Sequence, residues 1–284
     1  MATETVWQST NGKWDDPSSW TQGVPSGAVA AKLCGLSVAD VRLGLTGADT
    51  ERLIVTPEYT GQIGAPGSPL EIDMADGMAV LRGRGRHYIK FASGNFPSIV
   101  CDSDRRGAPG TAGSAGLLDG TIARLCVKDG GWMISSTCKL IYQVGLFGDQ
   151  ANLEIRPKAT TENMAPVVVV HSGTLLNDRP SDAANYVLVS LGGLLIQRGL
   201  LAYGDVIVRG AGGLFRYEPL SDPPTDPEMI LADGFSDFRG AQYDFGVDKL
   251  TIGPNAEVEA PTMFAGGYPP GALSNAIDLR EEYP

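Results

Sequence analysis

The sequence predicts an all-β protein whose main body is a right-handed parallel β-helix, or β-solenoid. Two observations predict this fold. Short apolar, β-branched runs recur around glycine turns, as in residues 187–196 and 206–215. The turns are spaced by 20 positions from Gly173 to Gly193 and by 20 again to Gly213. A period near 20 residues is too long for one hairpin and too short for a βαβ unit, but it fits one coil of a β-solenoid.

The same count continues with 21 positions to Gly234 and 21 more to Asn255. In such a coil each strand needs a neighbour above and below it for its N–H and C=O groups. Glycines are then expected at the corners, where the backbone takes a positive φ. The chain contains 37 glycines, 19 prolines and only 19% charged residues, a composition that favours many corners. The sequence has no sustained amphipathic pattern of the kind that predicts a long helix.

The overall charge and the N-terminus restrict the functional classes. A net charge of −11 argues against a protein that holds nucleic acid or an anionic membrane. No apolar run is long enough for a transmembrane helix, and no secretory leader is recognisable, so we expect synthesis in the cytoplasm. The four cysteines form no CxxC pair. We expect each of them to be a small buried residue and not a disulfide partner or a zinc ligand.

Residues 1–52 are predicted to be an N-terminal cap or attachment segment. They contain three of the four tryptophans, Trp7, Trp14 and Trp20, together with turn signals at 16–18 and 23–25. An uncapped solenoid would expose its core and a row of unpaired strand edges, so a bulky lid is required. We also include these tryptophans among the candidate protein contacts.

A family resemblance begins in this segment. Trp14, Asp16, Trp20, Gly23 and Pro25 follow a pattern similar to the opening of many β-helical bacterial surface passengers and of β-helical bacteriophage virion proteins. The stretch LIVTPEYTGQIGAPGSPLEID, residues 53–73, resembles the phage group in particular. The resemblance covers roughly the first quarter of the chain and implies capsid decoration or an accessory head protein.

A basic segment at 81–106 has a net charge of +4 within this acidic chain. Arginines at alternate positions project from one face of a strand, so an extended segment concentrates the charge. The alternative is a solvated strand face without a binding role. The candidate contact residues here are Arg82, Arg84, Arg86, Lys90, Arg105 and Arg106.

The solenoid body is predicted over residues 53–260, with a flexible Gly-rich loop at 107–120 and regular coils from Thr121 onward. Residues 218–248 carry a net charge of −7 and a proline-rich stretch expected to leave the ladder. Residues 261–284 are predicted to be an extended tail, in which Phe264 and Tyr268 are further candidate contacts.

No catalytic, cofactor or metal site is predicted. The carboxylate pairs considered were Asp73 with Asp76 and Asp102 with Asp104, but a surface turn is the commoner setting for the latter. Neither His87 nor His171 is near a nucleophile motif, and His171 is expected to bond to backbone at a strand end. The acidic segment lacks the spacing of an EF-hand loop.

The expected function is therefore a non-enzymatic, structural bacteriophage virion protein at the capsid surface. The expected partners are the major capsid protein or another virion protein and further copies of the chain, with a trimer favoured because assembly hides solenoid faces. Two alternatives stay open. One is a tail-spike-like protein that binds or cleaves glycans, with Asp102 and Asp104 in its groove, and the other is a bacterial surface adhesin.

Overall fold

The fold was determined from a computed structural model. It describes residues 3–9, 14–35, 48–74, 76–94, 96–157, 167–179, 186–198, 205–209, 214–217, 228–237, 249–259 and 276–278. The chain divides into two compact units. The first comprises residues 1–142 and 150–153, and the second comprises residues 143–149 and 154–284.

Strands dominate the described part of the first unit, and its one helical segment is a 3-10 turn at Pro17–Ser19. The strands are β1 (Thr3–Val6), β2 (Val29–Leu33), β3 (Ala48–Asp49), β4 (Arg52–Val55), β5 (Leu70–Asp73), β6 (Met78–Leu81), β7 (His87–Phe91), β8 (Ser98–Asp102) and β9 (Gly116–Ile134). The next strand, β10 (Lys139–Ile155), has residues in both units.

These strands form two parallel ladders. The first ladder runs β1, β2, β4, β6, β8 and β9, and the second runs β3, β5, β7 and β9. The long strand β9 contributes its first residues to the second ladder and residues 124–129 to the first. The predicted parallel β-solenoid is therefore confirmed.

The second unit repeats this arrangement. Its strands are β11 (Val167–Asn177), β12 (Tyr186–Ser190), β13 (Leu194–Gln197), β14 (Asp205–Arg209), β15 (Leu214–Tyr217), β16 (Glu228–Asp237), β17 (Lys249–Glu259) and β18 (Ala276–Asp278). Successive strands on each face pair in parallel. Part of the predicted tail is therefore a strand, because β18 pairs with β17. Residues 261–275 and 279–284 of that tail lie outside the described residues.

The predicted period agrees with the pairing register. Thr174 pairs with Leu194 and Leu194 with Leu214, at steps of 20, and Leu214 pairs with Phe235 at a step of 21. The next step is 22, since Gly234 pairs with Ala256 and not with the predicted Asn255. A register shift between Leu231 and Asp233 explains the extra residue, because a bulge places two residues opposite one.

Inward positions of the first ladder form an apolar core column. Ala31, Leu53, Ala79, Ile99 and Leu125 occupy equivalent positions on five successive strands, and each is at most 2% exposed. Strands in one sheet lie about 4.8 Å apart, so each of these side chains contacts the equivalent side chain of the next coil. The core is therefore continuous along the ladder.

The tryptophan cap closes the free edge of β1. Trp7, Trp14 and Trp20 are 1–2% exposed, and Trp20 makes edge-to-face contacts with the other two at ring centroid distances of 4.9 and 4.8 Å. The Thr21 N–H donates to Val6 O at 2.9 Å, and the Gln8 N–H donates to Ser19 O at 2.9 Å. The returning segment thus occupies backbone groups that an open edge strand would present.

The corner glycines serve two different physical needs. Gly173 has a φ of 81°, as expected for a left-handed corner. At the next corner the positive φ of 92° belongs to Gly192. Gly193 is required instead by close approach, since a Cβ there would lie 2.1 Å from Val170 O.

The predicted flexible loop at 107–120 differs in the structure. The Gly107 N–H donates to Gly113 O at 3.2 Å, and Arg106 bridges Ser114, so residues 107–114 form a hydrogen-bonded turn. From Gly116 the chain is already strand β9 and pairs with β7. Regular coils also precede Thr121, since β4 to β8 already pair in the two ladders. The glycines at 107–120 allow close backbone packing and do not mark a linker.

A buried amide pair links two coils of the second unit. The Asn177 Nδ2 donates to Gln197 Oε1 at 2.7 Å, and the two residues pair in register at 0% and 1% exposure. Both side-chain amides also donate to Arg179 O at 2.8 Å. Each amide N–H thus finds an acceptor without solvent, which a buried polar group requires.

The amide pair generates the first prediction. Gln197→Leu is expected to lower the free energy of unfolding by about 1–3 kcal/mol, because Asn177 keeps a buried N–H without an acceptor. The double variant Asn177→Leu with Gln197→Leu is expected to lose less than the sum of the two single losses. Urea unfolding of all four proteins measures this, and strictly additive losses would contradict the pairing.

Candidate interaction surface

The predicted basic residues lie in the first unit, and two of them, Arg82 and Arg84, each face a carboxylate of the next coil. Arg82 Nε lies 3.2 Å from Asp102 Oδ2, and Arg84 Nε lies 3.2 Å from Asp104 Oδ2. The register explains both pairs, because Leu81 pairs with Cys101 and the following outward positions are therefore opposite one another. The two arginines are thus compensated across coils.

Arg106 makes the most extensive ion pair of this corner. Its Nε and Nη2 donate to Asp129 Oδ1 and Oδ2 at 3.0 and 2.6 Å, a two-pronged geometry. The hydrogen bonds to Asp129 and its charge raise the pKa of Arg106. Asp129 Oδ1 also accepts the Gly130 N–H at 2.7 Å, which fixes the carboxylate at the corner.

The remaining predicted cations also have interaction partners. Lys90 Nζ lies 3.3 Å from Glu71 Oε2, and these residues are neighbours in the second ladder. Arg105 donates to two carbonyl oxygens of the 107–114 turn, Ala112 O at 2.6 Å and Ser114 O at 3.0 Å. Arg86 donates to Thr111 O at 3.2 Å, and its guanidinium also lies over the Tyr88 ring. Both arginines hold the turn.

The basic segment is therefore less positive in space than in sequence. Four of its six cations pair with carboxylates, and two of these carboxylates, Asp129 and Glu71, come from outside the segment. The other contact candidates are not brought to this surface. Trp7, Trp14 and Trp20 are buried within the cap, and Phe264 and Tyr268 lie outside the described residues.

An apolar column on the outward face of the first ladder was missed by the sequence analysis. Ile54, Val80, Val100 and Cys126 occupy equivalent positions on β4, β6, β8 and β9, and each is half-buried. We call these four residues the outer column. An outward row of apolar side chains, three of them β-branched, on a regular sheet gives a flat apolar strip, the kind of surface that proteins use to bind one another.

A basic–aromatic cluster, defined as Phe96, Arg124 and Tyr142, lies beside this column. The two rings are nearly parallel, with centroids 6.4 Å apart, and are 44% and 49% exposed. The Arg124 guanidinium lies 5.7 Å from the Tyr142 ring centroid. Arg124 stands two positions before Cys126 on β9, so both project from the same face of the strand. The cluster thus adjoins the outer column.

Sequence reasoning missed the cluster because its members are distant in the chain and only the coil brings them together. Arg124 and Lys128 alternate with buried Leu125 and Val127, which was the one available signal of two outward cations. In the described part of the chain neither cation lies within 4.0 Å of a carboxylate. They differ in this from four of the six cations of the predicted basic segment, which pair with carboxylates.

The carboxylates considered for catalysis have other surroundings. Asp102 and Asp104 are held by Arg82 and Arg84, as described above. Asp76 lies in an open groove of about 440 Å³ that Glu51 and Arg52 also line. Within the described ranges, no group of three or more His, Cys, Asp or Glu side chains is arranged to hold a metal ion.

The two histidines and the cysteines have structural surroundings. His171 Nδ1 lies 3.3 Å from Ser190 Oγ of the next coil, so its partner is a side chain and not the expected backbone group. His87 is fully buried and stacks on Trp132 at a centroid distance of 6.0 Å. None of the four cysteines forms a disulfide.

Comparison of the chain with protein families, with curated proteins and with solved structures gives no match. Among the residues that the structure describes, no helix has the length and apolar character needed to cross a membrane.

Burial of His87 generates a prediction on pH dependence. Burial, aided by the charge of Arg105, lowers its pKa to about 4 from the ordinary 6.5. The unfolded chain therefore binds the proton first, and stability is lost as the pH falls from 6.5 to about 4. The full loss is roughly 3 kcal/mol, at 1.36 kcal/mol per pKa unit.

His87→Leu is expected to remove this contribution and to flatten the pH dependence of the unfolding free energy between pH 6.5 and 4. All other titratable groups are the same in both proteins, so the difference between the two curves isolates the histidine. Urea unfolding across this range measures it. Parallel curves for the two proteins would contradict a neutral buried histidine.

The corner ion pairs generate a third prediction. Asp129→Asn is expected to lower the thermal midpoint, because Arg106 loses a two-pronged partner, and about 1 M salt is expected to reduce the difference. Glu154→Gln is the control, since Glu154 pairs with Arg156 through a single contact of 3.2 Å. An equal effect of both substitutions would show that the corner geometry adds nothing.

Proposed function

We propose that the protein is a structural bacteriophage virion protein that decorates or stabilises the capsid exterior through protein–protein contacts. The observation that carries the proposal is the outer column, a flat apolar strip on a regular parallel sheet. A sheet whose backbone is hydrogen-bonded to both neighbouring coils presents such a strip with little loss of conformational entropy on binding. Rigid display of an apolar surface suits a component of an assembly.

The chemistry of the described residues supports a binding role over catalysis. Asp102 and Asp104 are engaged by arginines, and His171 contacts Ser190 with no acid completing a catalytic set among the described contacts. We therefore propose no enzymatic activity. The resemblance of residues 14–25 and 53–73 to β-helical phage proteins gives the finer assignment to a virion.

The proposed partners are the major capsid protein or another virion protein, together with further copies of the chain, and a trimer is favoured. No nucleic-acid or membrane partner is proposed, because the chain carries a net charge of −11. The proposed location is the capsid surface, after synthesis in the host cytoplasm.

A second candidate function is glycan binding, which the exposed rings of Phe96 and Tyr142 favour. Aromatic faces exposed beside a hydrogen-bond donor such as Arg124 suit a ring-shaped polar ligand. Polysaccharide binding by the isolated protein, lost in Tyr142→Ser, would support this candidate.

Binding to shells tests the proposed function. Purified protein is expected to co-sediment with assembled shells of the major capsid protein encoded by the same genome, and to saturate at a fixed ratio. The double variant Val80→Ser with Val100→Ser is expected to bind at least tenfold more weakly, because it removes apolar area from the outer column.

The matched control is Val167→Ser with Val169→Ser, which changes two half-buried, outward valines of β11 in the same way. It is expected to bind shells like the unaltered protein. Protein that stays in the supernatant at all concentrations, or an equal loss in both double variants, would contradict the proposal.

A further inference from the structure

Positive charge that remains available for binding lies on β9, the last strand of the first ladder. Arg82, Arg84 and Arg106 have carboxylate partners on the adjacent coil. Arg124 and Lys128 on β9 are exposed and, in the described part of the chain, have none within 4.0 Å. An uncompensated cation on a surface attracts an acidic partner, and the compensated corner does so much less.

The neighbouring side chains are those that carry binding energy at protein interfaces. Tyrosine and arginine are enriched among interface hot spots, and aromatic residues are enriched in interface cores. Phe96 and Tyr142 are among the few large apolar side chains of the described residues that are more than 40% exposed. The guanidinium over the Tyr142 ring adds a donor-rich group to this apolar surface.

The charge of the chain is distributed unequally between its halves. Residues 1–142 carry 13 Lys and Arg against 14 Asp and Glu, whereas residues 143–284 carry 9 against 19. The first half is therefore almost neutral and the second half has a net charge of −10. Contacts between two second halves are electrostatically unfavourable, but a contact between the basic–aromatic cluster and a second half is favourable.

We propose that the basic–aromatic cluster and Lys128 bind the acidic second half of another copy of this chain. This contact joins two different surfaces, so it is heterologous and repeats until the copies close into a ring, such as the trimer favoured above, or extend as a filament. The proposal rests on the proposed function, since it treats the protein as an assembly component. In this proposal the docking surface is β9 with its surroundings, and no longer the predicted basic segment at 81–106.

Sedimentation velocity of the purified full chain tests the proposal without shells. The unaltered protein is expected to self-associate at micromolar concentrations, and to dissociate as the salt concentration rises. Arg124→Glu and, separately, Tyr142→Ser are expected to weaken association at least tenfold. Both side chains are exposed, so circular dichroism and the thermal midpoint are expected to stay unchanged.

Arg156→Glu is the charge-matched control. It makes the same change of charge as Arg124→Glu, but within the acidic second half, where the side chain is 47% exposed. The proposal predicts no weakening of association by this variant. Equal weakening by both variants would indicate general repulsion between copies and would overturn the proposal.

Cross-linking identifies the two surfaces directly. A carbodiimide that joins amines to carboxylates without a spacer is expected to link Lys128 of one copy to a carboxylate in residues 143–284 of another. Mixing isotopically labelled and unlabelled protein separates links between copies from links within one copy. Links from Lys128 only to carboxylates of residues 1–142 would overturn the proposal.

The outcomes separate this proposal from the proposed function. A monomeric protein that still saturates shells would overturn only the self-association, whereas a self-associating protein that ignores shells would overturn only the capsid role. A monomer that binds an acidic polysaccharide through Tyr142 would overturn the self-association and favour glycan binding.

Discussion

In-register parallel stacking is the constraint on which the rest of the structure depends. Each residue of a coil lies about 4.8 Å from the residue at the equivalent position of the next coil. Inward positions must therefore be apolar on every coil, as in the column from Ala31 to Leu125. A buried polar group is tolerated where the next coil supplies its complement, as Gln197 does for Asn177.

The same constraint controls the charges on the outside. A charged side chain on one coil faces whatever the next coil places at that position, and like charges there are unfavourable. The corner coils accordingly alternate arginine with aspartate, and the second ladder places Lys90 between Glu71 and Asp119. Charged side chains therefore pair along the solenoid axis, with residues of the next coil, and not with their neighbours in the sequence. A count of charges over a short sequence segment therefore overstates the positive charge that the surface offers to a partner.

Stacking also determines which groups remain available to other molecules. Backbone groups of a coil are used by its neighbours, and the cap occupies part of the free edge of β1. Side chains on the outward faces thus remain for contact with other molecules. The outer column and the basic–aromatic cluster are described places where apolar area or charge stays at the surface. In the proposed function this rigid surface binds other proteins, whereas catalysis would require converging acid and base groups.

The sequence by itself determined the fold class, the period of the coil and the need for a cap, because glycine corners and inward apolar positions recur along the chain. It misplaced the start of the regular coils, because glycines that permit close packing at 107–120 look like a flexible linker. Only the tertiary structure decided which cations are paired and which aromatic side chains are exposed. Arg106 meets Asp129, and Phe96 meets Tyr142, across coils of unequal length. The physical reason is that register between coils depends on the length of every intervening corner, which no local pattern specifies.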